Sequence, residues 1–156
     1  MIKMNSLMSQ ELCDDNKTII ESEVSLKIIK IVKKLVKRIK YYNGYLIANK
    51  FTINLKNQNI VNRIFGDKTG AEASLNETII NYELNIPSVS SSVALQFFKE
   101  YNMQLKIKYN IKFCAILSQN NNNEWIYRFH TVTDDSCLWL GEDLEKYQEA
   151  VLYDVF

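Results

Sequence analysis

The chain has 156 residues, 47% hydrophobic and 24% charged, which is typical of one globular domain and excludes a disordered chain. Four glycines and one proline exclude collagen-like and low-complexity classes, and a single His excludes multi-histidine metal sites. The net charge of +1 conceals a gradient, because residues 1–56 carry 11 Lys and Arg against 5 Asp and Glu, whereas residues 119–156 carry 2 against 8.

The sequence contains no recognisable leader or membrane span. The N-terminal residues lack the apolar core of about 7–15 residues that a secretory signal needs. The longest uninterrupted apolar run, 113–117, is far shorter than the roughly 20 residues of a spanning helix. Three cysteines without a CxxC pair are not typical of a disulfide scaffold. We therefore expect a soluble cytoplasmic protein with reduced thiols and no cofactor.

The first half of the chain begins with a predicted tail and a helix. Residues 1–17 are polar and irregular, which predicts a flexible tail. Thr18 begins a capping box and Asn43-Gly44 provides a stop, so we expect a long amphipathic helix over about 18–42. One arc of this helix is apolar and the other is basic. The basic arc consists of Lys27, Lys30, Lys33, Lys34, Lys37, Arg38 and Lys40.

Shorter elements are predicted in the middle of the chain. Alternating apolar residues predict strands over about 45–56 and over about 80–86, the second ending before Pro87. Residues 66–76 read as a loop between them. A short helix is expected from the serines at 88–92 to about Asn102.

The clearest pattern lies in the last third of the chain. Apolar and polar residues alternate over 104–118 and 124–133 on either side of a polar loop, which predicts an antiparallel hairpin. A short acidic helix near 141–148 and a last strand over 150–156 follow. The order of elements predicts one α+β domain over 18–156: an antiparallel or mixed sheet, with the long N-terminal helix and a second, shorter helix packed on it.

No recognised catalytic motif is present. Gly66–Gly70 lacks the order of Gly and Lys that a phosphate loop requires, so it reads as a turn. His130 and Cys137 could form a nucleophile and base, which makes a small hydrolase one alternative. No local signature supports that chemistry, and we expect that the protein is not an enzyme and holds no metal.

The basic arc of the first helix offers a second alternative, nucleic-acid binding. Only three Arg residues occur in the chain, and its net charge is near zero. Nucleic acid is therefore an unlikely partner. A membrane is excluded as a partner, because the apolar arc of the helix is needed for the core of the domain.

The acidic C-terminal segment is the preferred binding surface. Carboxylates there alternate with aromatic side chains, and this combination is typical of an interface with a basic protein. The candidate partner-binding residues are Asp134, Asp135, Trp139, Glu142, Asp143, Glu145 and Glu149.

The tail residues Trp125-Ile126-Tyr127-Arg128-Phe129-His130 and the segment from Cys137-Leu138-Trp139-Leu140 to Leu152 resemble the tails of some small bacterial immunity proteins. Those proteins neutralise toxin domains of contact-dependent growth inhibition and related polymorphic toxin systems. The resemblance covers about the last 35 residues and assigns no role to any one of them. It implies a cytoplasmic, non-enzymatic protein that binds and neutralises a cognate toxin, with no small-molecule substrate. We expect this toxin to be a basic nuclease domain.

Overall fold

The computed structural model describes residues 2–14, 21–48, 55–133, 139–141 and 143–156. The helices are α1 (Ser6–Asp14), α2 (Ser22–Arg38), α3 (Gln58–Phe65), α4 (Lys68–Leu75), α5 (Ile80–Leu84) and α6 (Ser91–Lys108), with a 3-10 turn over Leu144–Lys146. The strands are β1 (Ile2–Met4), β2 (Lys40–Tyr42), β3 (Tyr45–Ile47), β4 (Thr78–Ile79), β5 (Phe113–Gln119), β6 (Trp125–Thr131) and β7 (Val151–Val155). The fold class is α+β, as predicted.

The main sheet has five antiparallel strands in the order β1-β7-β5-β6-β4. The hairpin of β5 and β6 is confirmed, with Phe113 opposite Thr131 and Gln119 opposite Trp125. Its first strand begins at 113 and not at 104, because residues 104–108 complete α6. The predicted last strand is confirmed as β7.

Each face of the sheet is buried against a different layer. The face covered by α2 and α6 carries Phe113, Ala115, Leu117, Trp125, Tyr127, Phe129 and Leu152. The opposite face carries Cys114, Ile116, Val151 and Tyr153, which pack with Leu140 and Leu144. The alternation in β5 and β6 is therefore the alternation of two buried faces, which explains why these strands contain few charges.

The helix expected over 18–42 is wrong in its extent. Helix α2 has 17 residues, its N-cap residue Glu21 makes no side-chain cap bond, and Lys40 already belongs to β2. Residues 15–20, including the predicted cap Thr18, lie outside the described residues. The second helix, α6, has 18 residues and is not the shorter one. Within the described ranges, every helix is too short or too polar to cross a bilayer.

Two predictions in the middle of the chain are also wrong. The expected loop over 66–76 contains α4, because the Asp67 carboxylate accepts a hydrogen bond from the Gly70 N–H (2.7 Å) and caps the helix. The expected strand over 80–86 is instead helix α5, preceded by the two residues of β4. The expected strand over 45–56 is only β3 in the described part, since 49–54 lie outside it.

A second, two-stranded sheet of β2 and β3 is attached to the first by buried polar side chains. The Glu72 carboxylate accepts hydrogen bonds from the backbone N–H groups of Leu46 (2.9 Å) and Thr131 (2.7 Å). The Asn76 amide donates to the carbonyls of Leu46 (2.8 Å) and Phe129 (3.2 Å). Both residues therefore connect β3 to β6.

The predicted flexible tail forms ordered secondary structure over residues 2–14. Strand β1 pairs with β7, so that Met4 lies opposite Leu152. Helix α1 follows at once and contributes Met8 to the main core. The N-terminal and C-terminal ends of the described chain thus meet at one edge of the main sheet.

Candidate protein-binding cleft

A polar cleft of about 410 Å³ lies where α1, the loop between β5 and β6, and the residues before β7 meet. Among the described residues that line it are three acidic residues and six Asn or Gln residues, and none of them is Lys or Arg. The acidic residues are Glu11, Asp14 and Glu149, and the amides are Gln10, Gln119, Asn120, Asn121, Asn123 and Gln148. The cleft is thus a negatively charged surface that is rich in hydrogen-bonding groups.

The first wall is one face of α1. Leu7, Gln10, Glu11 and Asp14 recur at helical spacing, which places their side chains on the same side of the helix. The helix begins where it does because the side-chain oxygen of Asn5 accepts a hydrogen bond from the Met8 N–H (3.0 Å), as an N-cap does.

The second wall is the loop between β5 and β6, which is held by its own side chains. The Asn120 side-chain oxygen accepts hydrogen bonds from the N–H groups of Asn122 and Glu124, each at 3.0 Å. The Asn120 amide also donates to the Glu124 carboxylate at 2.9 Å. A hydrogen bond from Tyr82, and to a smaller extent the one from Asn120, lowers the pKa of Glu124. Glu124 therefore remains a carboxylate beside the cleft.

The third wall is the segment that leads into β7. The Asn5 amide donates to the Glu149 carbonyl at 2.8 Å, which fixes this segment next to the beginning of α1. Four residues before Glu149, the Glu145 carboxylate accepts hydrogen bonds from the Ser6 N–H (2.9 Å) and hydroxyl (2.7 Å). An anion at a helix N-terminus is favoured by the helix dipole. Glu145 therefore stabilises the N-terminal end of α1.

The structure separates the predicted partner-binding residues. Of the four that it describes, Glu149 alone lines the cleft. Trp139 is 39% exposed, and its ring centre lies 5.6 Å from the Arg128 guanidinium, on the sheet face that carries Ile116. Asp143 caps the 3-10 turn and lies 3.7 Å from the ammonium of Lys146. The predicted residues Asp134, Asp135 and Glu142 lie outside the described residues.

Sequence reasoning missed Glu11 and Asp14, because residues 1–17 were assigned to a tail. The signal that identifies them is the spacing of Leu7, Glu11 and Asp14 after Asn5, a residue type that is common at helix N-caps. The acidic surface thus combines one predicted residue near the C-terminus with two N-terminal ones.

The hydrolase alternative depends on His130 and Cys137, and Cys137 lies outside the described residues. His130 is fully buried, and burial lowers the pKa of its imidazole. Its cross-strand neighbour is Cys114, whose thiol pKa is raised to about 12 by burial and by Asp154. Cys114 is therefore a protonated core residue at neutral pH and not a nucleophile.

A comparison with protein families finds a match that covers almost the whole chain. A family model described as the Uncharacterized protein PM0498 family matches residues 3–155. No curated protein and no solved structure matches the chain. The matched range runs from β1 to the end of β7, so it includes all three walls of the cleft.

Proposed function

The chain belongs to the PM0498 family, and we propose that it is an immunity-type protein that binds and neutralises a cognate toxin domain. The single observation that carries this proposal is the cleft, whose three carboxylates face no basic residue among the described lining residues. Its partner is a protein that presents basic side chains. A nuclease domain is the partner that fits best.

The charge of the cleft matches the requirement that nucleic acid imposes on a nuclease. A nuclease must present positive charge to phosphates, so an acidic protein surface can occupy the same site and exclude the substrate. Glu11, Asp14 and Glu149 would pair with Lys and Arg of the toxin. The surrounding amides supply further acceptors for guanidinium and ammonium N–H groups.

The order of the cleft also supports a binding role. Asn5 holds one wall to another, and Asn120 holds the loop. A surface that is already ordered loses little conformational entropy when a partner binds. Neutralisation by occupation needs no bond-making group, so the proposed protein is not an enzyme. It acts in the cytoplasm, where the nuclease would meet its substrate.

Co-expression with the products of the neighbouring genes, one of which the proposal expects to be a toxin domain, tests the proposal. The unmodified protein should restore growth and co-purify with the toxin. The double reversal Glu11→Lys/Glu149→Lys should lose both effects, because it places two cations in the cleft. The matched control is Glu23→Lys/Glu83→Lys, which changes the charge equally at exposed positions outside the cleft.

The control should protect as the unmodified protein does. Protection that survives the cleft reversal would contradict the proposal, provided that circular dichroism shows the variant to be folded. Equal loss in both variants would also contradict it, because the effect would then follow net charge and not the cleft.

A further inference from the structure

A long stretch of the chain contains no acidic residue. Between Glu23 and Asp67 there are ten Lys and Arg residues and no Asp or Glu. Seven of these cations lie on α2 and at the start of β2, and all seven are exposed. They are Lys27, Lys30, Lys33, Lys34, Lys37, Arg38 and Lys40. We call this surface the basic face.

No carboxylate of the described residues neutralises the basic face by an ion pair. None of its seven side chains forms an ion pair with a carboxylate of the described residues, where the ion pairs are Arg128 with Glu77 and Lys146 with Asp143. From Lys27 to Arg38 the face is about 17 Å long, and its cations recur every three or four residues, about 5 Å apart. Such a row can follow a phosphodiester backbone.

Two exposed aromatic residues follow α2 in strand β2. Tyr41 is 59% exposed and Tyr42 is 50% exposed, directly after the end of α2. Tyr41 meets the ring of Tyr109 edge-on, with 6.2 Å between the ring centres. Lys40 and Tyr42 share one side of β2 and Tyr41 lies on the other, because successive side chains of a strand alternate. Exposed tyrosine rings close to a row of cations offer stacking surfaces for unpaired bases.

The junction between α2 and β2 is held in place by α6. The Lys108 ammonium donates hydrogen bonds to the carbonyls of Val36 (2.7 Å) and Ile39 (2.9 Å). The Tyr109 hydroxyl donates to the same Ile39 carbonyl at 2.8 Å. The backbone that leads from α2 into β2 is therefore anchored to the end of α6.

The opposite face of α2 is not available for insertion into a membrane. Ile28, Val32 and Val36 are buried in the main core, so no apolar side of the helix is free to enter a bilayer. An acidic protein could pair with the cations, but its binding does not require them to form a row that is followed by rings for base stacking.

We propose that the basic face, together with Tyr41 and Tyr42, binds single-stranded nucleic acid.

The objections that the sequence raised concern a different mode of binding. Few Arg residues and the lack of an RNA-binding motif argue against reading a specific base sequence. A surface that binds single strands without sequence preference needs only cations along the backbone and rings for the bases. At roughly 3.4 Å per stacked nucleotide, the α2 part of the face covers about five nucleotides.

This surface is separate from the acidic cleft. The cleft adjoins the start of α6, where the Ser91 hydroxyl donates to the Glu11 carbonyl (2.9 Å). Tyr41 and Tyr42 lie at the other end of α6, which is about 27 Å long. The nucleic-acid proposal therefore stands or fails independently of the toxin proposal.

Fluorescence anisotropy with a labelled 12-nucleotide oligo(U) tests the inference. Binding should be measurable at low salt, and the logarithm of the association constant should fall linearly with the logarithm of salt concentration. The variant Lys33→Gln/Lys37→Gln should make this slope shallower by about 1.4, since each phosphate contact on a single strand contributes about 0.7. Its control, Lys3→Gln/Lys146→Gln, removes equal charge elsewhere and should leave the slope unchanged.

A second pair of variants tests stacking. Tyr42→Leu should weaken binding roughly fivefold or more, as the loss of one base–aromatic stack does. Tyr82→Leu removes a ring that is 68% exposed on α5 and should have no effect. Equal slopes in the two lysine variants would overturn the proposal, as would equal affinities in the two tyrosine variants. Competition by poly-glutamate or by anionic vesicles as strong as that by unlabelled oligo(U) would overturn it too.

Discussion

The side chain of Asn5 accepts a hydrogen bond from the backbone N–H of Val151 at 3.1 Å, although the two residues are 146 positions apart. The same side chain caps α1 through Met8 and bonds to the Glu149 carbonyl. Asn5 is 1% exposed, and its bonds with Met8 and Val151 are buried. One buried amide thus joins two walls of the acidic cleft.

Replacing this amide should destabilise the fold and open the cleft. Asn5→Ala removes the α1 cap and leaves the Val151 N–H buried without its acceptor, so we expect a loss of about 2–3 kcal/mol in the free energy of unfolding. Urea denaturation measures it. Ser6→Ala, which removes only an exposed hydroxyl contact with Glu145, should cost less than about 1 kcal/mol. A stability of Asn5→Ala equal to that of Ser6→Ala would contradict this role.

Glu72 is a buried carboxylate that connects the two sheets. Glu72→Ala removes the acceptor for the N–H groups of Leu46 and Thr131, and we expect a loss of about 3 kcal/mol by chemical denaturation. Glu72→Gln keeps one acceptor oxygen and should lie between this variant and the unmodified protein. Glu83→Ala, at an exposed position, should change stability by less than about 0.5 kcal/mol. The prediction fails if Glu72→Ala behaves as Glu83→Ala does.

His130 should make stability depend on pH in the weakly acidic range. Burial lowers the pKa of its imidazole from the ordinary value of 6.5, and this effect exceeds the opposing influence of the Thr131 carbonyl and of Glu72. Below pH 6.5 the unfolded chain therefore binds a proton that the folded chain does not. Stability should be highest above this value and should fall as pH falls towards the lowered pKa of the folded state.

The measurement is urea denaturation between pH 7.5 and pH 5.5, in about half-unit steps. His130 is the one histidine of the sequence, so His130→Phe isolates its contribution. The variant should lose the decline in stability over this range. A decline of the same size in His130→Phe and in the unmodified protein would show that other groups cause it.

Gly70 allows α4 to begin directly after α3. A Cβ atom at this position would lie 2.2 Å from the carbonyl oxygen of Phe65, which is backbone that has little freedom to move. Gly70→Ala should therefore lower the melting temperature, although the same change in an ordinary helix stabilises by up to about 1 kcal/mol. Ser74→Ala, at an exposed position in the same helix, should leave it unchanged or raise it. A rise in both variants would contradict the close approach.

The hairpin was predictable because its pattern is local. Trp125, Tyr127 and Phe129 alternate with other residues and fall on one buried face, as a period of two requires. The same kind of alternation wrongly predicts a strand over 104–108. Leu105 and Ile107 look like strand residues, but both belong to α6. Leu105 lies four residues after Tyr101, and these two side chains are buried on the same face of the helix. A short alternating run is compatible with either period.

The N-terminal wall of the cleft was not predictable in the same way. Strand β1 has three residues, all exposed, and its partner β7 lies at the other end of the chain. No local pattern specifies such a pairing. The polar N-terminal sequence therefore predicts a tail at Glu11 and Asp14, whereas the run of acidic residues around Glu149 predicts a binding surface. Charge composition predicts the wall that contains Glu149. The wall formed by α1 depends on the long-range pairing of β1 with β7, which the sequence pattern does not predict.

The central claim is tested most directly by the rate at which the protein associates with the toxin domain that co-expression identifies, measured by stopped-flow fluorescence at several salt concentrations. Acidic residues that face a basic partner accelerate encounter, and salt screens this effect. Glu11→Lys/Glu149→Lys should lower the rate constant at low salt by at least about tenfold and weaken its salt dependence. Glu23→Lys/Glu83→Lys should affect both far less. Equal rate constants and equal salt dependence in the two variants would contradict the claim that the acidic cleft receives the toxin.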